Sequence, residues 1–489
     1  MLRNAENTAR TASLNLLGLA MGVSLALAPN LARANDGFTL RDVPEIENKR
    51  PIHVALEAGG AADLIIPYLQ RFSEATGVPV TSESMVFATL YSKEVVELQG
   101  RTGAYDVVVT ETSWTNEWKD YLFPIEELAR KYDSAGVAGL EKYLADHDPG
   151  LLRMASARDG TLVGVPYYTF TQISIYRRDL FEDAGEQAAF RQKYGYPLAP
   201  ARAWEQLRDQ AEFFTRSKGQ KLKGETLERD FYGTSLMAGR YPHVQDELAA
   251  MIWSKGGRWA SPVRDNGELV GFTVTDKDQE IMEWAFGLYQ ELMAYSPPGT
   301  ENAFWDFATA QFVEGNTAII PLMYNGLWNW ASDVAGKVPG ARANAAPVVG
   351  RRPYTGAFHF APSRDSRNPE AAYWLLKYIG SYATQKEMIE GGWAGTNVAV
   401  LSEGDKTIDN KYKEYGWIKP TIEQWAEQAP DIDDYLHFNS AAFGKLYEQM
   451  TIIGHENATG KTAPAESVAA WVKSFARIQK KYGDLPVID

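Results

Sequence analysis

The chain has no cysteine among its 489 residues. Disulfide scaffolds, thiolate metal sites, cysteine nucleophiles and a lipid anchor on an N-terminal cysteine are all excluded. Histidine is scarce as well. The six histidines are scattered and form no H-E-x-x-H pair, so no metal site and no zinc hydrolase is indicated. No G-x-S-x-G elbow is present. Basic runs are missing too, and the net charge is −14. An acidic chain without Lys and Arg clusters makes a poor nucleic-acid binder. Beyond residue 34 no stretch is apolar enough to span a bilayer. There is no Pro/Gly/Ser-rich linker, no fixed-period repeat and no low-complexity tract.

The N-terminus has the composition of an export signal. Arg3 and Arg10 precede the apolar run Leu14–Ala28, and Ala32-Arg33-Ala34 follows as an A-x-A cleavage site. That run is shorter than the roughly 20 residues a membrane anchor needs. Cleavage after Ala34 is expected, leaving a free protein in the periplasm of a Gram-negative cell. Losing Arg3, Arg10, Arg33 and Glu6 leaves the remainder more acidic still. Without disulfides its stability must come from its core, which a chain of this length supplies.

Aromatic residues are abundant at 12%, with 14 Trp and 25 Tyr. Buried Trp and Tyr need partners for their polar ends, and flat rings suit a ligand cleft. The early region alternates strand and helix patterns. Pro51–Leu56 reads as a strand. Ile65, Leu69 and Phe72 share a helical face, with Pro67 in the first turn and Gly77 as the stop. Val78–Val80 opens a second strand, Leu90–Gly100 a second helix, and Tyr105–Thr110 a buried strand. Such alternation predicts a parallel sheet flanked by helices. Ligands of such sheets bind beyond the carboxyl ends of the strands. That draws attention to Glu57–Gly60, Glu83–Phe87 and Thr110–Trp114. Later helices are predicted over Trp204–Arg216, Asp278–Met293, Pro369–Tyr382 and Ser467–Lys481, and a buried strand over Ala318–Leu322.

Several segments together resemble the extracellular solute-binding protein family 1, the sugar-binding components of ABC importers. They are Tyr105-Asp-Val-Val with Trp114, Trp118 and Pro124–Leu128; Gly164-Val-Pro-Tyr-Tyr168 with Ile175–Phe181 and Ala184-Gly185; Phe312–Ala318 with Met323–Trp328; Asn368–Trp374; and Gly391-Gly392. Each is weak alone, but their order is that of the family. The resemblance implies a type II periplasmic binding protein fold, with two discontinuous α/β lobes joined by a three-segment hinge. Lobe one would comprise 35–165 and 356–398, and lobe two 166–355 and 399–489, with crossings near Val165, Gly356 and Val398. It further implies capture of a sugar or polyol by hinge closure and delivery to the permease subunits of the importer, by a monomer with no cofactor and no catalytic residue.

A sugar has apolar C–H faces that stack on rings, and hydroxyls that suit Asp, Glu, Asn and Gln. On that chemistry the candidate ligand contacts are Glu57, Glu111, Trp114 and His359 in lobe one. In lobe two they are Tyr167, Tyr168, Gln172, Trp253, Tyr324, Asn325 and Trp328. Trp393 and Asn397 stand near the third crossing. Trp328 lies where the family commonly places a sugar-stacking Trp. Of Tyr167 and Tyr168, one faces the cleft and one the core, and alternation does not choose between them. Trp253 and His359 have core readings beside the ligand reading, and Glu57 has one as a helix cap. Thr110 and Glu111 depart from the aromatic and Asp pattern of maltodextrin-binding members, which favours a small sugar, a short oligosaccharide or a polyol over a long maltodextrin. Two other readings compete: a carrier of a non-sugar solute such as a polyamine, and a secreted glycoside hydrolase, which needs a carboxylate pair across the sugar. Gly454–Thr462 imitates a phosphate loop but has one residue too many between its glycines.

Overall fold

Val107–Glu111 is buried at every position, as an apolar run flanked by strands on both sides must be. In the computed structural model, which describes residues 37–407, 416–428 and 433–488, this run is the middle strand of a five-stranded sheet. The proposed export signal lies outside the described residues. The strands of the two main sheets are β1 (Ile52–Glu57), β2 (Val80–Met85), β3 (Val107–Glu111), β4 (Val165–Thr169), β5 (Gln172–Arg177), β6 (Tyr232–Thr234), β7 (Thr317–Tyr324), β8 (Ala343–Pro347) and β9 (Ala357–Pro362). The first sheet has the order β2-β1-β3-β9-β4, and a second sheet has the order β8-β5-β7-β6. Helices pack on both, and each sheet has its own core. Leu56, Phe72, Val108, Trp118 and Phe360 belong to the first, and Ile175, Trp204, Trp253, Ile320 and Trp471 to the second.

The expected parallel sheet is found only in part. β1 runs parallel to β2 and β3, but β9 is antiparallel to both β3 and β4. In the second sheet β5 is antiparallel to β7 and β8, and only β6 is parallel to β7. The physical reason is chain path: β9 returns from the second lobe and enters the first sheet from the opposite end. Nothing local in its sequence carries that direction. The lobes are therefore discontinuous α/β units.

Three crossings link them. β4 belongs to the first sheet and β5 to the second, so the first crossing is Phe170-Thr171, later in the chain than Val165. The second lies between Pro347 and Ala357. At the third, Trp393 packs in the first core and Val398 in the second. The crossings are bonded side by side. The Thr169 N–H donates to Ala394 O at 2.8 Å, and the Phe170 N–H to Gly356 O at 3.1 Å. Thr396 Oγ1 donates to Pro166 O at 2.9 Å. A side chain at Gly356 would collide with the Phe170 ring, so the second crossing needs glycine there.

Some helix boundaries differ from expectation. The first helix begins at Gly60, which places Pro67 in its interior rather than its first turn; it still ends at Gly77, with φ 67°. The second runs Phe87–Gly100, and its left-handed cap is Arg101 rather than Gly100. The Gly-Lys-Thr segment is a turn between Phe443–Ala458 and Pro464–Tyr482, with Gly454 inside the earlier helix, so no phosphate loop forms. No helix among the described residues is long and apolar enough to cross a membrane.

Candidate functional site

Glu111 ends β3 and is buried. Its carboxylate accepts from Ser113 N at 2.9 Å and from the hydroxyls of Ser113 and Tyr354. Burial raises its pKa, and these donors oppose the rise. Tyr354 sits on the second crossing, so this phenol ties the end of β3 to the hinge. On the other side, Tyr324 ends β7 and donates its hydroxyl to Asp246 in the helix His243–Ser254. Tyr447 donates to the other oxygen of Asp246 at 3.1 Å. Burial raises the Asp246 pKa to about 7; the phenol donors oppose that rise, and the nearby charge of Glu111 adds to it. The seam between the lobes thus brings a carboxylate from each close enough to feel the other's charge, Glu111 holding Tyr354 and Asp246 holding Tyr324 and Tyr447.

A wall of rings runs along the same seam. Phe87 lies 6.3 Å from Phe358, and Phe358 4.9 Å from Phe170, both between centroids. Phe170 continues to Tyr354 at 6.2 Å and Tyr324 at 6.3 Å. Polar contacts also cross the seam. Asn116 Nδ2 donates to Phe438 O at 2.7 Å, Asn329 Nδ2 to Gly392 O at 2.9 Å, and Arg158 pairs with Asp484. The lobes meet directly.

Of the residues singled out in the sequence, Glu111, Tyr168 and Tyr324 are brought to this seam. Tyr168 is half-buried, stacked on Phe358, with its hydroxyl against the Gly326 backbone of the other lobe. Tyr167 faces the core, 3.9 Å from Phe360. This settles the alternation that the sequence left open. Glu57, at the end of β1, is partly buried and its carboxylate makes no hydrogen bond among the described residues. Burial pushes its pKa up to about 7. Trp114 meets Phe87, Tyr91 and Trp118 inside the first core.

The remaining candidates hold structure together. Gln172 is fully buried at the hinge, where its Oε1 accepts from Tyr354 N at 2.7 Å. Trp393 Nε1 donates to Tyr167 O at 2.9 Å. Asn397 Oδ1 accepts from Val400 N at 3.2 Å, at the start of the helix Val398–Thr407. Asn325 N donates to Thr171 O at 2.9 Å, and its side chain reaches Thr421. Trp253 stacks on Tyr435 at 4.3 Å in the second core. Trp328 is 3% exposed and packs in that core as well. His359 is buried within the first sheet, 3.4 Å from Thr110 Oγ1, with its pKa lowered to about 3 by desolvation. Among the described residues no cluster of His, Asp and Glu suits a metal ion.

Sequence reasoning missed Asp246, Tyr354 and Tyr447. Asp246 sits within a helix whose residues Val244 to Trp253 are all buried. Flanked by Gln245 and Glu247, it reads in sequence as part of a polar turn of helix, and only the structure shows that it is buried, at a cost unless it has partners or a task.

The bacterial extracellular solute-binding protein model matches residues 57–386. A probable amino-acid ABC transporter periplasmic-binding protein of Sinorhizobium fredii is 20% identical over 77% of this chain and 79% of its own length. Among solved structures, an ABC transporter solute-binding protein of Agrobacterium radiobacter K84 in complex with ribitol aligns with a TM-score of 0.67 at 17% identity, covering 88% of this chain and 99% of that one. A solute-binding protein of Agrobacterium vitis S4 with bound D-mannitol aligns at 0.64 and 17% identity, covering 88% and 99%. The fold is that of type II periplasmic solute-binding proteins. The matched span, together with two discontinuous lobes joined by three crossings, places this chain in the bacterial extracellular solute-binding protein family.

Proposed function

We propose that this protein captures a small sugar, short oligosaccharide or polyol between its lobes and delivers it to the membrane permease of an ABC importer. The observation that carries this reading is the seam itself: carboxylates from both lobes, Glu111 and Asp246, each accepting from phenols of its own and flanked by a wall of rings. Hydroxyls that both donate and accept suit carboxylates and phenols, and C–H faces suit rings. Structural neighbours that bind ribitol and D-mannitol support the cargo class. The Sinorhizobium relative's amino-acid designation points elsewhere, so the cargo has to be tested directly.

The mechanism follows from the hinge. The crossings at Phe170-Thr171, Tyr354–Gly356 and Ala394–Thr396 lie together, so rotation there opens the seam. Cargo that touches both lobes binds the closed form better and shifts the population toward it. The permease would read that closed form. Within this reading Glu57, Glu111, Tyr168 and Tyr324 are ligand contacts, with Asp246, Tyr354 and Tyr447 added. The lobe limits become 37–169 with 357–393, and 172–347 with 398–488. The protein works as a monomer in the periplasm, exported by its N-terminal signal, and catalyses nothing.

The test is a thermal-shift screen of purified protein against sugars and polyols. Ligand at 100 times its Kd adds about 2.7 kcal/mol to stability, a rise of several degrees. A rise with one or a few carbohydrates is expected, and turnover of none. If only amino acids or peptides raise the melting temperature, the cargo assignment fails. If a glycoside is hydrolysed at catalytic rates, the carrier reading fails.

A further inference from the structure

We infer that the cargo carries a cationic nitrogen, as an amino sugar or amino polyol does, held between Glu111 and Asp246. This rests on the carrier reading above and narrows its substrate class. The observation is a missing counter-charge: among the described residues neither carboxylate makes an ion pair with Lys or Arg, although both are buried. Other buried carboxylates are either paired with arginine, as Asp179 is with Arg177 and Glu186 with Arg216, or hold only hydrogen-bond donors, as Glu94 and Glu247 do away from the seam. Buried carboxylates ordinarily have a cation or a metal as partner. Metal is disfavoured, since no three ligating side chains gather among the described residues.

The rings supply the second half of an ammonium site. Phe170 lies 6.2 Å from Tyr354, Tyr354 5.4 Å from His437, His437 4.3 Å from Phe443, and Phe443 5.2 Å from Tyr447. Tyr324 closes the ring, 6.3 Å from Phe170 and sharing Asp246 with Tyr447. Ring faces attract an ammonium, more strongly once water is excluded.

Independent of the charges, buried polar atoms beside the pair lack partners. Gln245 donates its amide N–H to Asp246, but its Oε1 has no hydrogen-bond partner among the described residues. His243 Nδ1, on the same helix and 5.2 Å ring to ring from Tyr324, has none either. Both nitrogens of His437, whose ring is part of the enclosure, are also unpartnered. Buried acceptors without donors are costly. A protonated amine brings several N–H donors and no acceptor, which suits the carboxylates, Gln245 Oε1 and the one acceptor nitrogen of the neutral His437 ring, whose other nitrogen is itself a donor. A neutral polyol brings one donor and two acceptor lone pairs with each hydroxyl, and no charge to draw the proton off Asp246.

The experiment is calorimetric titration of the full-length mature chain at pH 7 with matched pairs: glucosamine against glucose, and N-methylglucamine against sorbitol. At least a tenfold preference for the amine in one pair is expected, with that preference lost in Asp246→Asn and in Glu111→Gln. Both substitutions keep a group that can accept from the tyrosines, and circular dichroism checks the fold. If Glu111→Gln does not fold, Asp246→Asn alone reads the preference. Equal or tighter binding of the neutral partner in both pairs overturns the amine inference and leaves the carbohydrate carrier standing. Binding of spermidine or choline, with none of the four hydroxylated probes bound, keeps the cation site and overturns the carbohydrate cargo. No binding of any of these probes overturns the amine inference and leaves the carbohydrate reading to the thermal-shift screen.

Discussion

The Tyr354 hydroxyl donates to Glu111, so a residue of the second crossing holds the carboxylate that ends the central strand of the other sheet. Hinge and site are therefore joined by one side chain. Tyr354→Phe removes that donor and leaves Glu111 with the Ser113 hydroxyl and the backbone of Thr112 and Ser113. The expected cost is about 1–3 kcal/mol of stability, read as a lower midpoint in urea, together with weaker cargo binding. An unchanged midpoint would show that Glu111 finds another donor.

Gly326 and Tyr168 face each other across the seam. A methyl group at Gly326 would collide with the Tyr168 hydroxyl. Gly326→Ala should weaken cargo binding by at least tenfold while leaving each core intact. Adding Tyr168→Phe, which removes the clashing oxygen, should restore part of it. Titration calorimetry on the two single variants and the double variant reads the coupling, and additive effects would count against direct contact.

Trp328 looked in the sequence like a surface for the sugar to stack on, but it is buried in the second core. Trp328→Ala should therefore destabilise the protein by about 3–5 kcal/mol. Trp328→Phe should cost less and leave binding close to normal. If Trp328→Ala unfolds at the wild-type midpoint but no longer binds cargo, the side chain faces the ligand after all.

The pH dependence has a worked sign. Burial raises Glu57 and Asp246 to about 7 and Glu247 to about 8, so each holds a proton when folded that it has released when unfolded. Stability of the cargo-free protein then falls as pH rises through those values. Burial also lowers His147 to about 4 and His243, His359 and His437 to about 3. These four act the other way, but only below about 6.5, where the unfolded imidazoles take up protons. Between about pH 6.5 and 8 only the carboxyls contribute, and the melting temperature should fall. Asp246→Asn should make that fall shallower. A flat profile for the wild type over this window would contradict the burial of these groups.

Local periodicity made β1, β3 and the long helices legible, because each buries a face that its own residues define. Glu111 and Tyr324 were legible as ends of apolar strands, where sheets of this type place their ligands. Whether Tyr167 or Tyr168 pointed inward was not, because the choice depends on the register of β4 against β9, contributed about 190 residues later. Asp246, Tyr354 and Tyr447 were missed for a related reason. Nothing near any of them in sequence shows that Tyr447 ends on Asp246, or that Asp246 comes close to Glu111. Gln172 was expected in lobe two, and Trp393 and Asn397 near the third crossing, all as ligand contacts; their polar atoms are used by backbone groups of the crossings and the helix that follows.

β4 has one neighbour in its sheet, and that neighbour is β9. When Val165–Thr169 is synthesised, the strand that must separate it from β3 does not yet exist. The first sheet cannot be completed until Ala357–Pro362 has been made, by which time most of the second lobe's strands are also present. Pairing so distant in sequence requires closing a long loop before any contact offsets its entropy, which slows folding. The order of the strands thus keeps the nascent chain without a finished domain for most of its synthesis, a property that suits the proposed export of an unfolded polypeptide through a translocation channel.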